Sequence, residues 1–150
     1  MLSSSLEKYL MIIFEMAMKD EEVKCSEISK ALNVPLKKTI QALQRMHYQK
    51  YVVYLAYQPL TITEKGKEMA RFLISRDALV KEFISILQLP EETEEEKEMM
   101  RQYLSYDTLE SMERFVAFIH QYPEVTNRYQ LFCKRKLKTR LLEPLPEEDV

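Results

Sequence analysis

Residues 26–48 read SEISKALNVPLKKTIQALQRMHY, and this stretch decides the fold. Ile28, Ala31 and Leu32 repeat at helical spacing behind Ser26, a residue type that caps helix N-termini. Asn33-Val34-Pro35 then breaks the helix, because the residue before proline is pushed out of the helical region. A new helix starts at Pro35 or Leu36, where proline is tolerated in the first turn. On this helix Leu36, Ile40, Leu43 and His47 form a packing stripe, and His47 is read as structural. Lys37, Gln41, Gln44 and Tyr48 form a second stripe, flanked by Lys38 and Arg45. Two short helices, a tight break and a basic second helix describe a helix-turn-helix.

The flanking sequence completes the unit. Upstream, Leu6, Tyr9, Leu10, Ile13, Phe14 and Ala17 predict a first helix entered through the capping-box pattern Ser4-Ser5-Leu6-Glu7. Downstream, Val52-Val53-Tyr54-Leu55 and Leu60-Thr61-Ile62 predict a hairpin around Ala56-Tyr57-Gln58-Pro59, which is a wing. Thr63 caps a helix over about 64–88, roughly 36 Å long at 1.5 Å per residue, more than one small domain needs internally. It is read as a link. Capping-box patterns at Thr93–Glu96 and Asp107–Glu110 start helices over 94–104 and 108–121, and Pro123 starts a last one to about Lys138.

The expected architecture is mainly α with a small β-hairpin wing. A winged helix-turn-helix domain covers 1–72, a helical dimerisation domain 73–140, and a flexible acidic tail 141–150. Met99, Met100 and Met112 have the spacing of core or dimer-interface packing.

Charge separates the two halves. Residues 1–75 carry a net +3 and residues 76–150 a net −5. From Ile28 to Thr63 there is no Asp or Glu, while Lys30, Lys37, Lys38, Arg45 and Lys50 give that stretch +5. Such a surface attracts phosphate. On the third helix Gln41 and Gln44 have the amide geometry to pair with adenine, Arg45 reaches guanine or phosphate, and Thr39 reaches a phosphate or a thymine methyl. Lys30, Lys38 and Lys50 read as phosphate contacts, which position without specifying, and Lys37 shares the outward face. Tyr57 and Gln58 at the wing tip are within reach of a minor groove. The acidic Glu91–Glu98 segment reads as solvated surface. The basic Lys134–Arg140 segment fits either a phosphate contact or a surface for an acidic partner.

Other classes are excluded by composition. Gly66 is the single glycine, so phosphate-binding loops and dinucleotide fingerprints, which need several, cannot exist in this chain. Two histidines, His47 and His120, offer neither a zinc motif nor a triad. His120 is expected to complement a helix C-terminus. Cys25 and Cys133 have no motif spacing and read as reduced thiols. The longest apolar runs fall far short of the ~20 residues that cross a bilayer, and Met1 leads into serines rather than a signal peptide. No membrane association and a cytoplasmic location are expected.

Leu6-Glu7-Lys8-Tyr9-Leu10, Ser26 to Val34, Leu60 to Lys67 and Tyr103-Leu104-Ser105 together resemble the DtxR/MntR family of metal-dependent transcriptional repressors, over about residues 4–121. The resemblance implies a homodimer built by the C-terminal helices, a pseudo-palindromic operator in double-stranded DNA, Mn(II) or Fe(II) as cofactor, and no enzyme activity. It also implies metal-ligand positions, and there this chain departs. The first-helix positions hold Lys8 and Met11 in place of carboxylates. The linking-helix histidine position holds Asp77, with Lys81 at a nearby carboxylate position. An acid, acid, histidine set becomes Glu98, Arg101 and Gln102.

Two carboxylates do not supply the ligands of a hard divalent ion, so classical sensing is expected to be weakened or lost. Either Lys8 and Arg101 act as tethered cations toward Asp77 and Glu98, or the site has become an ordinary polar interface. Two further readings stay open: a protein-interaction module on a repurposed winged helix, and a repressor still responsive to metal through an altered site.

Overall fold

The computed structural model describes residues 2–19, 22–88 and 94–135. Within them the chain runs α1 (Ser4–Met18), α2 (Cys25–Leu32), α3 (Leu36–Tyr48), β1 (Val52–Val53), β2 (Thr61–Ile62), α4 (Glu64–Leu87), α5 (Glu94–Tyr103), α6 (Tyr106–Gln121) and α7 (Pro123–Cys133). The fold is mainly helical with one antiparallel hairpin, in which Val52 pairs with Ile62 and Val53 with Thr61. The 141–150 tail and Lys136, Lys138 and Arg140 lie outside the described residues.

Two core clusters form. Leu6, Leu10 and Ile13 of α1 pack with Ile28 of α2, Leu43 and Met46 of α3, Val52 of the wing, and Ala70 and Leu73 of α4. Val80 and Ile84, farther along α4, pack with Leu109 and Met112 of α6. Helix α4 therefore contributes to both clusters through one stripe, and each fully buried Leu or Ile contributes about 1.5–3 kcal/mol. Met112 is buried and Met100 packs beside it, whereas Met99 is exposed and so takes no part in this core.

Three helix starts depart from the expected capping patterns, the first because a tertiary contact claims the side chain. Ser3, not Ser4, is the N-cap of α1, and Glu7 turns to Arg76 instead of closing a capping box. Lys24, not Ser26, precedes α2. Ser105, not Asp107, caps α6, its Oγ accepting from the Thr108 N–H at 3.2 Å. The stop after α2 is as expected, with Asn33 in the left-handed conformation at φ 52°. The cap at Thr63 also forms, its Oγ1 accepting from the Gly66 N–H at 3.0 Å.

The packing stripe of α3 is rotated from the expected one. Thr39, Ala42, Leu43 and Met46 are buried, Ile40 is half-buried, and Leu36 is exposed. Thr39 is thus wholly inside, and its Oγ1 has no hydrogen-bond partner in the protein. It cannot touch DNA, which corrects its place among the candidate contacts. Replacing a buried, unpaired hydroxyl by a methyl of the same shape removes a desolvation cost. Thr39→Val is therefore expected to leave stability unchanged or raise it by up to about 1 kcal/mol, and a clear fall in the thermal denaturation midpoint would contradict this reading.

Candidate nucleic-acid interface and the cleft behind it

The outward face of α3 carries Lys37, Lys38, Gln41, Gln44 and Arg45, all exposed; Lys30 on α2 and Lys50 after α3 are exposed as well. Lys38, Gln41 and Arg45 also line a broad open groove of about 750 Å³ shared with Ser5 and Tyr9 of α1. Tyr48, at the end of α3, is 88% exposed.

Local contacts fix the wing relative to α3. The Tyr54 N–H donates to His47 Nδ1 at 3.1 Å, leaving the strand ladder, so β1 stops at Val53 rather than Leu55. His47 accordingly has the structural role read from the sequence. Thr63 Oγ1 lies 2.7 and 2.9 Å from the carbonyl oxygens of Lys50 and Tyr51, and Lys65 donates to the Gln49 carbonyl at 2.9 Å while lying over the Tyr51 ring. Lys65 is thus engaged by the fold. At the wing tip Tyr57 is fully exposed, in a left-handed backbone conformation at φ 62°.

Behind this face, the positions expected to surround a metal do converge. A small cleft of about 40 Å³ between α1, α4 and α5 is lined by Lys8, Met11, Asp77, Glu98, Arg101 and Gln102. Lys8 Nζ is 3.9 Å from Glu98 Oε1, Arg101 Nε is 3.7 Å from Asp77 Oδ1, and Gln102 Nε2 donates to Glu98 Oε1 at 3.1 Å. Lys81 lies apart, lining an adjoining cleft with Asp77, Lys97 and Arg101.

The same small cleft also contains Ser4, Glu7 and Arg76. Glu7 and Arg76 are functional candidates that sequence reasoning missed. Arg76 is 8% exposed and donates from Nη1 and Nη2 to the two carboxylate oxygens of Glu7, at 3.3 and 3.0 Å. It also donates from Nε and Nη2 to Asp77 Oδ1, at 3.1 and 3.0 Å. Burial works against its charge, but the hydrogen bonds and charges of Glu7 and Asp77 outweigh that and hold the guanidinium above its usual pKa. A signal was present: Ala70, Leu73, Arg76, Val80 and Ile84 form one buried stripe, and an arginine inside an apolar stripe demands a buried partner.

This set does not fit a hard divalent ion. Among the described residues no group of three or more His, Cys, Asp or Glu side chains is arranged to hold a metal. The carboxylates in the cleft, Glu7, Asp77 and Glu98, each face a cation of the chain itself.

In the C-terminal half, α6 exposes Phe115 and Phe118, α7 exposes Leu131 and Phe132, and Tyr122 between them is exposed as well. His120, expected to act on its own helix end, instead pairs with Glu82 of α4. No described helix is long and apolar enough to cross a membrane.

Comparison with known proteins agrees with this architecture. Residues 63–129 match the family described as "Iron dependent repressor, metal binding and dimerisation domain". The chain is 24% identical over 137 residues to the HTH-type transcriptional regulator MntR of Listeria monocytogenes serotype 4b (strain CLIP80459), covering 91% of this chain and 96% of that one. It is 25% identical over 122 residues to the MntR of Bacillus subtilis (strain 168), covering 81% and 86%. In fold it is similar to the manganese regulator SloR (TM-score 0.65, 21% identity, 78% of this chain) and to T. acidophilum IdeR (TM-score 0.58, 18% identity, 77% of this chain). It spans 55% of each of those two solved chains. The matched relatives are transcriptional regulators, not enzymes. By sequence and by fold, the chain is similar to transcriptional regulators of the DtxR/MntR type, and its residues 63–129 match the metal-binding and dimerisation domain of iron-dependent repressors.

Proposed function

We propose that this chain represses transcription by binding a pseudo-palindromic operator in double-stranded DNA as a homodimer, through α3 in the major groove and without a requirement for Mn(II) or Fe(II). The observation that carries the reading is the outward face of α3, where Lys37, Lys38, Gln41, Gln44 and Arg45 stand exposed in a 36-residue stretch free of carboxylates. Lysine and arginine there neutralise phosphates, and the two glutamines present amides to base edges. Dimerisation is supported by the apolar side chains exposed on α6 and α7, within or next to the part of the chain that matches a dimerisation domain. Metal independence is supported by the cleft, whose carboxylates are already paired.

Fluorescence anisotropy tests this, first on a random-sequence duplex and then on sequences enriched by the protein from a randomised pool. For 6–10 phosphate contacts per dimer, affinity is expected to fall about 10³–10⁵-fold between 50 and 200 mM salt. The curves are expected to superimpose with added Mn(II) and with chelator. A flat salt response would favour a protein-interaction module instead, and a gain in affinity on adding Mn(II) would restore metal control.

A further inference from the structure

The three cations in the cleft are not equivalent. Lys8 is 69% exposed and its nitrogen lies 3.9 Å from Glu98, so water and salt screen the pair and its two long side chains lose little by separating. Arg101 is nearer the interior, but its Nε at 3.7 Å is beyond hydrogen-bond reach of Asp77. Arg76 is different in kind. Four of the guanidinium's five N–H donors are engaged, two on Glu7 and two on Asp77. The Glu7 contacts form a parallel fork between residues 69 positions apart, joining α1 to α4. Among the described residues, that fork is the one hydrogen-bonded ion pair between the first helix and the linking helix.

We infer that Arg76 is a built-in clamp: braced on Asp77 of its own helix, its guanidinium grips Glu7 and fixes α1 against α4 permanently, a job that in a cation-regulated repressor would wait for a bound ion. The inference rests on the DNA-binding reading only for its consequence, a DNA-binding unit held in one orientation without a ligand.

Three features carry it. First, geometry: a planar fork meeting a carboxylate squarely sets both distance and angle between the helices, which a lysine point charge does not. Second, charge: Lys8, Arg76 and Arg101 balance Glu7, Asp77 and Glu98, so the cleft holds no surplus negative charge to draw in a further cation. Third, reach: Arg76 also lines a separate pocket of about 190 Å³ with Phe72, Tyr106 and Leu109, so the residue that holds α1 also touches the side of α4 that faces α6. The clamp therefore sits between the DNA-binding face and the exposed apolar surface of the C-terminal helices. Because the fork is buried, ionic strength does not release it.

Hydrogen exchange of the full-length chain, read by mass spectrometry, tests the clamp without DNA. Arg76→Met and Glu7→Gln are each expected to speed exchange of the amides in 7–11 of α1 at least tenfold, while α2 and α3 stay unchanged. The double variant is expected to exchange no faster than the faster single one, since both changes break one fork. Mn(II) is expected to leave the wild-type pattern unchanged. If Arg76→Met fails to fold, Glu7→Gln carries the test, because it keeps side-chain volume and leaves Arg76 its contact with Asp77.

Unaltered exchange in Glu7→Gln, strictly additive effects, an equal effect of Lys8→Ala, or protection of wild-type α1 by Mn(II) would each overturn the clamp. Loss of duplex binding by the wild-type chain would instead remove the DNA reading and leave the exchange result standing.

Discussion

Gly66→Ala is expected to cost about 3 kcal/mol of stability, lowering the midpoint of thermal unfolding by roughly 10 °C. Gly66 is buried in the first turn of α4, and it does not have a positive φ. Its smallness, not its backbone freedom, is what the fold uses. A Cβ there would stand 2.1 Å from the Tyr51 carbonyl oxygen and 2.8 Å from Ile62 Cγ1. Alanine gains about 1 kcal/mol of helix propensity over glycine, which pulls the other way. The clash wins because the carbonyl has nowhere to go: it accepts from the Thr63 N–H at 3.1 Å and lies 2.9 Å from Thr63 Oγ1. Relief requires moving the backbone that ties the end of α3 to the wing and to α4. Circular dichroism during heating checks it, and a midpoint within about 2 °C of wild type would contradict the argument.

The second large effect concerns DNA. Lys38→Ala with Arg45→Ala removes two exposed cations per protomer and four per dimer, each expected to neutralise a phosphate. The salt slope should fall by about 3.6 and affinity at 0.1 M salt by about a thousandfold or more, because each lost contact forfeits its counterion release. The loss should be similar on every duplex. Gln41→Ala or Gln44→Ala should behave differently, costing about 1–3 kcal/mol on an enriched sequence and almost nothing on random DNA, since an amide reads bases and does not neutralise phosphate. Thr39→Val should leave both kinds of binding unchanged. If the double variant keeps the wild-type slope, α3 is not the face that meets DNA.

These two predictions draw on different layers of information. The helix-turn-helix, the wing and the long α4 are legible from short stretches: Asn33-Val34-Pro35 stops a helix, and Thr63 with Gly66 starts one, whatever surrounds them. The acid-free surface is equally a property of the chain as written. Even Gly66 is half legible, as the single glycine in the sequence and one placed inside a helix, although its reason lies in Tyr51.

Phase and partnership were decided elsewhere. A periodic pattern establishes that α3 has an apolar face but not its exact centre, which depends on α1, α2 and the wing packing against it together. That rotation brought Thr39 inside, where its methyl is welcome and its hydroxyl is left without a partner. Capping patterns failed in the same way: Glu7 could accept from its own helix turn or from Arg76, and the buried guanidinium, donating two N–H groups, was the stronger partner. The cleft shows the limit most plainly. Through the family resemblance, the sequence placed Lys8, Met11 and Arg101 where carboxylates are implied, and Asp77 and Gln102 where histidines are, because residue identity at a motif position is local information. Only the tertiary structure decided which cation stands at the centre, because a fork between residues 7 and 76 depends on two helices meeting in space, and no local period records that distance.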